Sequence, residues 1–176
     1  MFGETSLLVV DGIVHVDIDP KAGSVKINDS LVDELDIKAI VERVRGEKTR
    51  IYPLITKPGD LLKLLLDAYD HEIRASGANA GSQVHATALA LQIAMQRQPT
   101  SFRSDPAAKN FREYPRALFR ADLYTLLATR EHTIRGRMFR YASGADANGA
   151  IFTLVPATGR MAHVGRIWFE PEGQGR

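Results

Sequence analysis

Residues 7–18 run Leu7-Leu8-Val9-Val10-Asp11-Gly12-Ile13-Val14-His15-Val16-Asp17-Ile18. Two β-branched and leucine-rich runs flank Asp11-Gly12, a dipeptide that accepts positive φ at both central positions of a type I′ turn, so the stretch predicts a hairpin. Downstream, Asp19-Pro20-Lys21-Ala22-Gly23 supplies a second turn, and Ser24-Val25-Lys26-Ile27-Asn28 alternates with the period of a strand. The chain therefore opens on an antiparallel β-meander.

Helical spacing replaces this alternation further on. Ser30, with Asp33 three residues later, fits an N-cap, and Ile37, Ile40, Val41 and Val44 recur at helical intervals up to Gly46. Ile51-Tyr52-Pro53-Leu54-Ile55 reads as a short extended piece that Pro53 confines to an edge. From Lys57-Pro58-Gly59-Asp60 a second helix begins, and the apolar arc from Leu61 to Ile73 is wide enough to predict a largely buried element. Ser82 caps a third, alanine-rich helix that Pro99 ends, and residues 100–114 read as a surface loop. Pro115 opens a fourth helix in which Leu118, Phe119, Leu123, Leu126 and Leu127 alternate with Arg116, Arg120, Asp122 and Arg130, a pattern that predicts an amphipathic element. Strands at 133–141, 151–155 and 161–169 follow, linked through Asn148-Gly149 and Pro156-Ala157-Thr158-Gly159.

The order strands, helices, strands is that of an α+β fold: an N-terminal antiparallel β-meander, three central helices, then a helix and a C-terminal three-stranded antiparallel meander. Residues 1–176 read as one domain, with any subdomain break falling within 99–114, and the pattern leaves open whether the two meanders share a sheet. At 44% hydrophobic and 25% charged residues the composition is that of a globular protein. The absence of cysteine excludes disulfides, thiolate nucleophiles and cysteine-based zinc sites. The N-terminal residues lack the basic and apolar regions of a secretory signal, and no apolar run approaches the length of a membrane span, so a soluble cytoplasmic protein without a membrane partner is expected.

Three patterns carry chemistry. On the strand Val14-His15-Val16-Asp17-Ile18-Asp19, alternation puts His15, Asp17 and Asp19 on one face, where imidazole and two carboxylates are a donor set for a divalent metal. A half-buried antiparallel strand also produces this alternation with no metal at all. Asp17, Asp19 and Gly23 fall near calcium-loop spacing, but Lys21 stands where a ligand is required and Asn28 where the closing Glu belongs. Asp67 and His71, four apart on the second helix with Glu72 beside them, form a weaker cluster that a solvated polar strip explains equally well.

The third pattern is charge. Residues 111–176 hold ten Arg and no Lys against six Asp and Glu, whereas the whole chain carries a net charge of only +2. Arg130, Arg135, Arg137, Arg140, Arg160 and Arg166 bracket the last helix and its strands, with Arg135 and Arg137 expected on one strand face. Guanidinium groups suit bidentate contacts with phosphate or carboxylate, and Phe139, Tyr141 and Trp168 are available for stacking. A helix followed by a small antiparallel sheet is also the outline of a winged-helix DNA reader. The same arginines serve a structural role if they pair with nearby carboxylates or cover aromatic surface with their stems. No phosphate loop, dinucleotide fingerprint, nucleophile elbow or zinc-protease helix is present, so no cofactor is expected. The reading is an accessory or binding protein that engages nucleic acid or an acidic protein through the Arg-rich C-terminal helix and sheet. The alternative is a metal-dependent hydrolase using His15, Asp17 and Asp19.

Overall fold

In a computed structural model of the protein, residues 6–28, 30–32, 36–130, 132–144 and 150–173 are described. The chain divides into two compact units, Met1–Ile55 and Thr56–Arg176. The division falls between residues 55 and 56 and not within 99–114, a segment that lies inside the second unit.

The first unit is a four-stranded antiparallel sheet in the order β1 (Ser6–Val10), β2 (Val14–Asp19), β3 (Ser24–Ile27) and β4 (Ser30–Val32), followed by helix α1 (Ile37–Ile51). Asp11 and Gly12 take φ values of 50° and 69°, and the Ile13 amide donates to the Val10 carbonyl at 3.0 Å, as the Asp-Gly turn requires. Val14, Val16, Val25 and Ile27 are buried on one face. The expected N-cap at Ser30 gives way to a strand. Asp36 caps the helix instead, its carboxylate accepting from the Ala39 amide at 3.2 Å, and Asp33 lies outside the described residues. The helix continues through Gly46, and the expected extended piece is the end of α1 joined to a single 3-10 turn at Tyr52–Leu54.

The second unit packs helices on one face of a five-stranded antiparallel sheet. Helix α2 (Pro58–Ser76) precedes the two-residue strand β5 (Val84–His85), which takes up the residues after Ser82, so α3 (Ala86–Gln96) starts later than expected, with His85 and not Ser82 at its N-cap. A short helix, α4 (Thr100–Ser104), and a 3-10 turn at Ala108–Asn110 occupy part of the expected loop. Helix α5 (Arg116–Ala128) leads to β6 (Thr133–Ile134), β7 (Arg137–Ser143), β8 (Ile151–Val155) and β9 (Arg160–Pro171). The long last strand lies in the middle: β9 pairs with β7 along one edge and with β8 and then β5 along the other. The two sheets are separate.

Between Ser143↔Val164 and Ala142↔Arg166 the register slips, so Gly165 is an extra residue in β9. A Cβ on Gly165 would meet Gly144 Cα at 2.4 Å, which is why neither position tolerates a side chain. Beyond this bulge, Ile167 and Phe169 face the helices, joined by Phe139 of β7 and by Ile151 and Val164. Leu61, Leu65, Leu89, Ile93, Phe119 and Leu123 cover them from α2, α3 and α5. Helix α5 departs from its expected amphipathic pattern. Nine of its residues are buried, Arg120 and Asp122 among them, because sheet and helices enclose it on nearly every side. No helix among the described residues is long and apolar enough to cross a membrane.

Candidate functional site

Register places each C-terminal arginine. In the β6–β7 hairpin Thr133 pairs with Met138 and Ile134 with Arg137, leaving Arg135-Gly136 as a two-residue turn with φ values of 48° and 67°. Arg135 and Arg137 therefore do not share a strand face: one occupies the turn and the other opens β7. Both turn to α2, where Arg135 meets Asp67 at 3.0 Å and Arg137 meets Asp70 at 2.6 Å. Asp67 is thus engaged by Arg135 and not arranged with His71, while Glu72 accepts from the Gln92 amide at 2.8 Å.

Arg140 and Arg166 sit differently. Cross-strand pairs are Arg140↔Trp168 and Ala142↔Arg166, with His85 of β5 opposite Arg166 on the other edge. Strand alternation puts all five on the sheet face away from Phe139, Ile167 and Phe169. Arg166 is partly exposed and His85 exposed, and Arg166 stands between Ala142 on one neighbouring strand and His85 on the other. Glu170 closes one end: its carboxylate accepts from the Trp168 indole N–H at 2.8 Å and from Arg140 Nε at 3.1 Å. These two donors, the indole first, hold the Glu170 carboxyl below its ordinary value. Among the described residues no carboxylate forms an ion pair with Arg130, Arg160 or Arg166. Arg130 lies exposed after α5. Arg160 opens β9 on the side of Val164, across the bulge from Arg166.

The aromatic set divides as well. Phe139 is core, in contact with Phe169 at 5.9 Å between ring centroids, and Tyr141 packs against the same cluster. Trp168 alternates to the outer face, partly buried and also packed against the edge of that cluster, with its indole N–H held by Glu170. Insertion of α5 into a nucleic-acid groove, the winged-helix mode, requires an exposed helix face. The nine buried residues of α5 leave none wide enough.

In the first unit, His15 is 4% exposed, and its backbone N–H donates to Asn28 Oδ1 at 3.0 Å while the Asn28 amide donates to the His15 carbonyl at 2.9 Å. Asn28 takes φ 49° to do so, a left-handed conformation that asparagine accepts more readily than most residues. The Asp19 carboxylate accepts from the Lys21 and Ala22 amides, each at 3.0 Å, and so builds the turn. Asp17 shares the His15 face, opposite Leu7 and Lys26. No group of three or more His, Asp or Glu side chains among the described residues is placed to hold a metal ion.

One cluster went unforeseen. The Asp122 carboxylate, 0% exposed, accepts from the Thr56 amide at 2.7 Å, the Thr56 hydroxyl at 3.0 Å and the Tyr114 hydroxyl at 2.5 Å. Arg97 Nη1 stands 3.8 Å away, its guanidinium over the Tyr114 ring. Burial pushes the Asp122 carboxyl up against these partners, and it pushes the Tyr114 phenol well above the tyrosine range. The cluster ties Thr56, the end of α3 and the segment before α5 to one buried anion. Its sole sequence signal was an Asp among leucines on α5, which helical spacing alone assigns to a solvated stripe.

Beside this cluster an apolar groove of about 440 Å³ runs between Ala90, Leu91 and Ala94 of α3 and Phe111, Tyr114 and Pro115. No protein-family model, curated protein or solved structure matches the chain.

Proposed function

We propose that the second unit is a non-catalytic binding module that takes single-stranded nucleic acid on the outer face of its sheet, at Trp168, Arg166, Arg140 and His85. The observation that carries this reading is the register Arg140↔Trp168 and Ala142↔Arg166, which sets Trp168 beside Arg140 on the neighbouring strand and beside Arg166 along its own, on the face opposite the core. An aromatic platform accepts any base through its π-face, and flanking arginines supply the phosphate contacts. Burial of α5 favours a single strand over a duplex, since base edges that come to an open sheet need no helix inserted in a groove. Arg166 has no carboxylate partner among the described residues and is the principal phosphate contact; Arg135 and Arg137 hold α2 to the β6–β7 hairpin and serve architecture.

The test is fluorescence anisotropy of labelled single-stranded oligothymidylate, a duplex of equal length and polyglutamate, each titrated with protein at low salt. The reading predicts binding of the single strand, weaker binding of the duplex, and loss of both in Arg166→Glu. Preference for polyglutamate would transfer the site to an acidic protein partner, and binding of none of the three would dispose of the proposal.

A further inference from the structure

The outer face already holds one anion, and it belongs to the protein. Glu170 Oε1 accepts the Trp168 indole N–H at 2.8 Å, and Glu170 Oε2 accepts Arg140 Nε at 3.1 Å. Two donors from adjacent strands thus converge on two oxygens of one carboxylate, the arrangement a phosphate oxygen pair would also satisfy. The side chains of Arg140 and Glu170 are about one-third exposed, at 39% and 34%, so solvent and ligand reach the pair. An ion pair of that exposure is weak, and a second anion can displace it at small cost.

We infer that Arg140 Nε and Trp168 Nε1 form a subsite for one phosphate group and that Glu170 is its resident competitor. This rests on the proposed nucleic-acid reading and assigns a regulating residue within that site. While Glu170 is ionised it neutralises Arg140 and presents a negative charge to an incoming strand. An arriving phosphate must displace the carboxylate from Arg140, so the subsite engages a polyanion held by several contacts more readily than a lone anion.

Glu170→Gln separates the charge from the geometry. In the free protein the glutamine carbonyl can accept the Trp168 N–H and keep the ring in place, but the uncharged side chain has no ionic hold on Arg140 and yields both donors to an arriving phosphate. Oligothymidylate affinity is measured by anisotropy for the wild type, Glu170→Gln, Arg140→Gln and the double variant, across roughly 50 to 200 mM salt. The expected result is tighter binding by Glu170→Gln, by about two- to fivefold. The salt slope should steepen by about 0.7, the value of one added phosphate contact on a single strand. In the double variant the gain should vanish. Unchanged fluorescence emission and melting temperature in Glu170→Gln would show that the fold is intact, and Glu170→Ala provides a second route to the uncharged state. If the wild type binds but neither uncharged variant binds more tightly, or if the gain persists without Arg140, the subsite is refuted while the nucleic-acid reading stands. If no variant binds, both fall.

Discussion

Replacing Asp122 perturbs a buried polar cluster inside the second unit. The carboxylate is fully buried and accepts three hydrogen bonds, two from Thr56 and one from Tyr114, with Arg97 at 3.8 Å. Asp122→Ala would leave the Thr56 amide and the Tyr114 hydroxyl without an acceptor, at about 1–3 kcal/mol each. The mostly buried Arg97 would lose its counter-charge as well. Solvent can reach part of these groups after relaxation, so the terms do not add in full, and the expected loss is about 3–5 kcal/mol, the range for removing one partner of a buried ion pair. Asp122→Asn retains one acceptor oxygen and should lose about 1–2 kcal/mol. Urea unfolding followed by the emission of Trp168, the only tryptophan, reads this unit directly. The pH dependence adds a sign. Because burial raises the Asp122 pKa above its ordinary 3.8, the folded state binds this proton more tightly than the unfolded state. The contribution of the protonated group is complete below that ordinary value and declines as pH rises through the raised one. The wild type should therefore lose stability relative to Asp122→Asn as the solution is made less acid. A loss below about 1 kcal/mol for Asp122→Ala at neutral pH would refute the clasp, since even a single unsatisfied buried donor costs that much.

Further predictions concern three other sites. Trp168 emission should titrate with a midpoint below the ordinary glutamate value of 4.5, because the indole N–H and Arg140 hold the Glu170 carboxyl down, and Glu170→Gln should abolish the step. Gly165→Ala places a Cβ against Gly144 backbone atoms at 2.4 and 2.6 Å and should destabilise by about 1–3 kcal/mol or more in thermal unfolding. An unchanged melting temperature would mean that β7 and β9 do not approach so closely. Asn28→Ala removes the acceptor for the His15 amide and forces alanine into a left-handed conformation, at a cost of about 1–3 kcal/mol, with faster hydrogen exchange at that amide as the local signature.

Much of the architecture is legible in short-range pattern. Asp11-Gly12 marks its turn because the dipeptide accepts positive φ at both positions, and the leucine-rich span after Pro58 marks a buried helix because its apolar arc is too wide for a surface one. Where the expectation departs from the structure, the competing force acts over a longer range. Ser30 has the chemistry of a cap, but the edge of β3 recruits it into a fourth strand and Asp36 caps the helix. Arg120 and Asp122 alternate with leucines as solvated residues do, and tertiary partners some sixty residues away reverse that reading for Asp122. The site divides along the same line. Period-two spacing in Arg166-Ile167-Trp168-Phe169-Glu170 separates a face carrying Arg166, Trp168 and Glu170 from one carrying Ile167 and Phe169. A hairpin register decides that Arg135 occupies a turn, and Asp67 and Asp70 on α2 decide that Arg135 and Arg137 are spoken for. Neither is visible in local spacing.

Trp168 is both the proposed stacking platform and the only tryptophan, so its intrinsic fluorescence reports on the site without a label. Titration with single-stranded oligothymidylate at about 50 mM salt should quench and shift this emission to saturation, with an affinity that weakens steeply by about 200 mM. Emission that stays unchanged at the lower salt, with protein and oligonucleotide both well above micromolar concentration, would contradict the assignment of this sheet face to nucleic acid.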